Sequence, residues 1–256
     1  MNLFGSSGRA FLTLLLLALF SAQVGTNGAH AAVTSVAVAS NFKSALEKLK
    51  PIFENETGHV VQLSAGSSGK LFAQIQAGAP FDVFLSADQE TPKKLEEMSL
   101  SVAGSRFTYA TGELALISSA HLKGALLPLD RLKQGAFQKL AIANPKTAPY
   151  GRAALEVLEK WKLKEATPGQ WVIGENSAQA FQFVATGNAE LGIVAYSHWI
   201  ERKEGKVYRI PEGDHHPIRQ DAVLLKRGQS NPAAVSFLQF LRSERVKNPL
   251  LGLGYR

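Results

Sequence analysis

Short β-rich runs alternate with helical stretches along the chain from residue 33 onward, and this alternation restricts the possible folds more than any other feature of the sequence. Residues 33–39 read as a strand, 41–56 as an amphipathic helix with Phe42, Leu46, Leu49 and Phe53 on one face, and 60–63 as a strand. A helix over 69–77, a strand over 82–86 and a helix near 92–98 follow. This βαβαβ order implies a parallel sheet covered by helices. The pattern then restarts: strands at 114–118 and 140–143, a helix at 150–161, a strand at 171–173, a helix at 177–186 and a strand at 191–195. After a further β-rich run at 207–210, one strand (222–225) and one helix (232–241) remain. They are too little for a third domain, so they are expected to return to the first unit. Two lobes result, residues 32–110 with 211–256 and residues 111–210, with the chain crossing near 107–113 and 207–211.

The residues ahead of this pattern have a different chemistry. A single cation, Arg9, precedes an apolar stretch over 11–20, then small and polar residues, the layout of a secretory signal peptide over residues 1–31. The apolar run is shorter than the roughly 20 residues a membrane-spanning helix needs. Ala29-His30-Ala31 supplies a small-x-small cleavage pattern, so a periplasmic mature chain is expected to begin at Ala32. With 0 Cys there is neither a lipid-anchoring cysteine nor a disulfide. A mature chain of this length buries a sizeable core without one.

The net charge of +7 falls to +6 when Arg9 leaves with a leader that has no acidic residue. The cations stand singly among acids, as in Lys43, Glu47, Lys48, Lys50 and Glu54, which argues against a nucleic-acid partner. A mildly positive field would still favour an anionic solute.

Chemistry is expected where strands hand over to helices, since ligands of open α/β sheets sit beyond the carboxyl ends of the strands. Four such junctions stand out: Ala39-Ser40-Asn41, Ala65-Gly66-Ser67-Ser68-Gly69, Ala148-Pro149-Tyr150-Gly151 and Glu175-Asn176-Ser177-Ala178. Free N–H groups and the partial positive charge at a helix start suit an anion. Glycine beside Ser68 and Tyr150 permits close backbone approach. Each Ser or Asn, taken singly, is also an ordinary helix cap.

Four segments carry a resemblance to a known family: Val38-Ala39-Ser40-Asn41; Ser67-Ser68-Gly69-Lys70-Leu71; Gly78-Ala79-Pro80-Phe81-Asp82-Val83-Phe84-Leu85-Ser86-Ala87-Asp88; and Leu191-Gly192-Ile193-Val194. Through them the mature chain resembles the periplasmic molybdate-binding proteins of ABC importers. The resemblance implies an α/β type II periplasmic-binding-protein fold, two lobes that are each a mixed sheet flanked by helices, closing on an oxyanion in the cleft between them. It implies molybdate or tungstate as ligand, no cofactor, no catalysis, a monomer, and a permease in the inner membrane as partner. The ligand would be held by neutral donors: the hydroxyls of Ser40 and Ser68, Asn41 as a donor found in a subset of members, and the backbone amides of Tyr150 and Ser177, the last at a position where Val is more usual. Some members place a tyrosine hydroxyl directly after the strand that ends near Val194. Here Ala195 stands there and Tyr196 comes one residue later, so Tyr196 is left out of the expected site.

A donor-only pocket fits a fully ionised tetrahedral dianion, whereas protonated phosphate needs an acceptor for its proton. Glu175 is the carboxylate closest to any junction. Sulfate shares the charge and shape of molybdate, and cavity size would have to separate them.

Competing chemistries are weaker. Ser67-x-x-Lys70 matches one element of the penicillin-recognising acyl enzymes, but Lys146-Thr147 runs on to Ala148 and Ser-Asp-Asn is missing. Gly69-Lys70 is followed by Leu71, and position 64 is Ser, so no phosphate-binding nucleotide loop is formed. His215-His216 beside Asp214 reads as a polar turn rather than a metal site, and His59, His198 and the three tryptophans as structural. A transcriptional effector domain could use the same bilobal fold, but the leader and the lack of a DNA-binding segment argue against it.

Overall fold

The computed structural model describes residues 31–256; the leader reading therefore lies outside the described residues. In chain order the elements are β1 (Val33–Ala39), α1 (Lys43–Thr57), β2 (Val60–Gly66), α2 (Ser68–Gln76), β3 (Val83–Leu85), α3 (Glu90–Glu97), β4 (Phe107–Gly112), β5 (Leu114–Ser118), α4 (Pro128–Lys133), β6 (Leu140–Ala143), α5 (Pro149–Lys160), β7 (Trp171–Gly174), α6 (Ser177–Ala185), β8 (Leu191–Ala195), α7 (Tyr196–Arg202), β9 (Val207–Arg209), β10 (Ile218–Leu224), α8 (Pro232–Arg242) and α9 (Glu244–Leu251).

They build two five-stranded sheets, β2-β1-β3-β10-β4 and β7-β6-β8-β5-β9. In the first, β1 runs parallel to β2 and β3, while β10 is antiparallel to both β3 and β4. In the second, β6 runs parallel to β7 and β8, while β5 is antiparallel to β8 and β9. The two sheets therefore share one plan: three parallel strands, one strand antiparallel to them, then an edge strand that again runs with the first three. Each sheet is mixed, not purely parallel, because the strands that cross between lobes enter against the βαβ direction. The stretch over 107–112, read from sequence only as a crossing, is itself an edge strand, and the chain changes sheet at Glu113. The second crossing lies between β9 and β10.

Apolar positions cover both faces of each sheet. Phe42, Leu46, Leu49 and Phe53, the stripe read from the sequence, pack with Phe237 and Leu241 of α8 on one face of the first sheet. Leu71, Ile75 and Leu95 from α2 and α3 cover its other face. Around the second sheet, Ala154, Val157 and Leu158 of α5 lie on one side, and Ala180, Phe181 and Val184 of α6 on the other. Helices α4, α7 and α9 escape a periodicity reading because they are short, at six to eight residues.

His198 on α7 is buried, stacks on Phe181 at 5.3 Å between centroids, and leaves Nε2 without a partner among the described residues. Burial pushes its pKa from 6.5 down to about 4, so the native ring is neutral. The unfolded chain takes up a proton below pH 6.5 that the native state refuses until about pH 4. Stability present above pH 6.5 is thus lost as pH falls through this window, by about 3 kcal/mol in all. Urea midpoints measured from pH 7 to pH 4 should fall for the native protein and fall less steeply for His198→Leu.

Candidate functional site

All four strand-to-helix junctions meet at one place. Ser40 and Asn41 after β1, Ser67 and Ser68 at the start of α2, Pro149 and Tyr150 at the start of α5, and Asn176 and Ser177 at the start of α6 line a single small pocket. It is a small hollow of about 190 Å³, partly open to solvent. One wall comes from each sheet. No side chain lining it is charged.

Local structure explains why donors point inward. A turn closed by the Phe42 N–H on the Ala39 carbonyl delays α1 until Lys43, two residues later than its sequence pattern suggests, and leaves the Asn41 N–H outside the helix. Proline at the first position of α5 uses a place where no N–H is needed and leaves Tyr150 next in line with an unpaired amide. Among the described residues, the N–H groups of Asn41, Ser68, Tyr150 and Ser177 have no protein acceptor. Two hydroxyls are held from behind. Ser68 Oγ accepts the Ala87 N–H at 2.9 Å, and Ser177 Oγ accepts the Ala195 N–H at 3.0 Å. Each hydroxyl then has its proton left to donate.

The side chains of Asn41, Tyr150 and Tyr196 are all committed to protein partners. Asn41 Nδ2 donates to Gln220 Oε1 at 2.9 Å, and its carbonyl accepts from Tyr255 and Ser197, so its free donor is the backbone N–H. The Tyr150 phenol is buried and accepts from Gln220 Nε2 at 3.1 Å, which leaves its amide as the group at the pocket. Tyr196 does not line the pocket; its ring stacks on Trp199 at 5.9 Å and lies 4.8 Å from the Arg209 guanidinium carbon.

Sequence reasoning missed Ser67, whose buried Oγ lines the pocket without a partner among the described residues. Its neighbour Ser68 carries the more readable signal, and nothing in the sequence separates two adjacent serines. It also missed Gln220, which is fully buried on β10 and joins Asn41, Tyr109 and Tyr150. Burial holds the phenols of Tyr109, Tyr150 and Tyr255 well above the ordinary tyrosine range, so all three stay neutral.

The walls touch around the pocket. The Gly69 N–H donates to the Thr147 carbonyl at 2.9 Å, Lys70 pairs with Glu175 at 2.9 Å, and Arg152 pairs with Asp88 at 2.6 Å. Lys70 Nζ thus pairs with Glu175, while Ser67 Oγ has no hydrogen-bond partner among the described residues, so the two ends of the Ser-x-x-Lys pattern are not bonded to each other. His215 turns its Nδ1 to the His216 carbonyl and His216 pairs with Glu156. Among the described residues no group of three His, Cys, Asp or Glu could hold a metal ion. A larger hollow of about 800 Å³ beside the two crossings is lined by Glu113, Glu212, Arg219 and Arg256, charges of both signs that offset one another.

Comparison with known proteins agrees with this geometry. The family model of the bacterial extracellular solute-binding proteins matches residues 34–256. The molybdate-binding protein ModA of Azotobacter vinelandii is 48% identical over 236 residues, 89% of this chain and 91% of that protein. Its namesake from Rhodobacter capsulatus is 43% identical over 223 residues, 86% of each chain. The solved structure of the Azotobacter vinelandii periplasmic molybdate-binding protein superposes with a TM-score of 0.82 at 35% identity, covering 87% of this chain and 98% of that one. With two mixed sheets joined by two crossings and a donor-lined pocket between them, the chain belongs to the bacterial extracellular solute-binding protein family.

Proposed function

We propose that the protein is the solute-binding component of an ABC importer, that it captures molybdate or tungstate between its lobes, and that it delivers the ion as a monomer to a permease in the inner membrane. The lobes would be residues 32–110 with 211–256 and residues 111–210. The chain would be exported to the periplasm with its leader cleaved near Ala31. No chemistry is performed on the ion and no cofactor is used.

The observation that carries this reading is the convergence of helix N-termini from both sheets on one uncharged pocket whose free polar groups are donors. Ser40, Asn41, Ser68, Tyr150 and Ser177 would hold the ion. A tetrahedral dianion offers only acceptors, and charge-assisted hydrogen bonds satisfy it without a countercharge. The named activity of the relatives supports the same ion. Contacts to both walls exist together only in the closed form, which is how the ion would favour closure.

A calorimetric panel of molybdate, tungstate, sulfate and phosphate tests the reading. Binding of molybdate and tungstate is expected; selective binding of sulfate, or of no oxyanion, would overturn it. Ser68→Ala removes one charge-assisted donor, so its affinity for molybdate should drop by about 1.5 to 3 kcal/mol, roughly 10- to 150-fold in Kd. An unchanged Kd in that variant would take Ser68 out of the site.

A further inference from the structure

We infer that the Ser177 hydroxyl is itself a ligand donor, the second-lobe counterpart of Ser68, an inference that rests on the oxyanion reading of the pocket. The resemblance assigns this position a backbone amide alone. The structure supplies more.

The two sheets share one strand plan, and the two serines occupy equivalent places in it. Ser68 opens α2 after β2, and Ser177 opens α6 after β7, each strand lying outermost in its parallel trio. Ser68 Oγ accepts an N–H from just beyond β3, and Ser177 Oγ accepts one from the end of β8, the equivalent third strand. The same hydroxyl is thus tied to the same point of each lobe.

The tie fixes what remains free. A serine hydroxyl has one proton to donate, and an N–H pointing at its oxygen leaves that proton directed elsewhere. Ser68 is 1% exposed and Ser177 3%, so bulk water is a poor acceptor for either. No described residue accepts from Ser177 Oγ, and both serines line the pocket. An oxyanion oxygen in the pocket would provide the acceptor that the Ser177 hydroxyl proton lacks among the described residues. Of the other second-lobe hydroxyls near this strand end, Tyr196 is turned toward Trp199 and Arg209, and Ser197 Oγ donates to the Asn41 carbonyl. Ser177 therefore gives the second wall a side-chain donor opposite Ser68.

The test is calorimetry with molybdate on the full mature chain and on Ser177→Ala, Ser177→Val and Ser68→Ala, with melting temperatures taken without ligand. Removing Ser177 Oγ also orphans the Ala195 N–H, so both Ser177 variants should melt somewhat lower whatever the hydroxyl does for the ligand. Kd separates the two roles. The expected result is a Kd about 10- to 100-fold weaker in both Ser177 variants, comparable with Ser68→Ala, as loss of a donor to a charged acceptor implies. Native-like Kd in either folded Ser177 variant, alongside a weakened Ser68→Ala, would make Ser177 a strand anchor only and overturn the inference. If the native chain binds none of the oxyanions, the underlying reading fails as well, an outcome distinct from the previous one.

Discussion

Gly151→Ala is expected to lower stability by about 2 to 4 kcal/mol and to weaken oxyanion binding more than tenfold, a large effect for one methyl group. A Cβ at position 151 would stand 2.3 Å from the Ala143 carbonyl oxygen and 2.8 Å from the carbonyl carbons of Ala143 and Asn144. All three are backbone atoms at the end of β6, so no side-chain rotation relieves the clash. The first turn of α5 would have to lift off the strand. That turn carries the Tyr150 amide into the pocket and seats the Tyr150 phenol against Gln220, so fold and site are disturbed together. Gly213→Ala is the control: a Cβ at position 213 would meet nothing within 4 Å, and little change is expected. Urea unfolding and calorimetry on both variants decide the matter; a Gly151→Ala protein as stable as Gly213→Ala would refute the packing argument.

Gln220→Leu should cost about 2 to 4 kcal/mol although it replaces a polar core residue with an apolar one of similar size. Gln220 Oε1 accepts from Asn41 Nδ2 at 2.9 Å and from the Tyr109 phenol at 3.0 Å, while its Nε2 donates to the Tyr150 phenol at 3.1 Å. Leucine removes its own polar atoms and leaves partners behind. Tyr109 keeps the Ser86 carbonyl as acceptor for its one phenol proton, and Asn41 Nδ2 keeps only a 3.4 Å contact with Tyr255. Because Asn41 belongs to one wall of the pocket and Tyr150 to the other, molybdate affinity should fall along with the denaturation midpoint. Stability lost with Kd unchanged would show that the network supports the core without positioning the pocket.

Much of this molecule is legible in one dimension. The helix at Lys43–Thr57 is readable because Phe42, Leu46, Leu49 and Phe53 repeat at helical spacing, and all four are buried. The strands of the parallel trios are readable as short β-rich runs between helices. The edge strand Phe107–Gly112 is not, since an edge strand at a crossing lacks the apolar density of a central one. The antiparallel direction of β10 is hidden for a different reason: the residues of a strand do not encode which neighbour it pairs with.

The candidate site divides along the same line. Composition at the strand ends, with Ser, Asn, Pro and Gly at helix starts, determined by itself where unpaired donors would lie, because helix termini leave N–H groups unsatisfied wherever they occur. It could not determine that Ser68 and Ser177 are held by the amides of Ala87 and Ala195, that Asn41 gives its side chain to Gln220, or that Tyr196 turns away. The hydrogen bonds of Asn41, Ser68 and Ser177 depend on partners 18 to 179 residues distant in the chain. Hydrogen bonding is decided at about 3 Å, and only folding brings such residues within that reach.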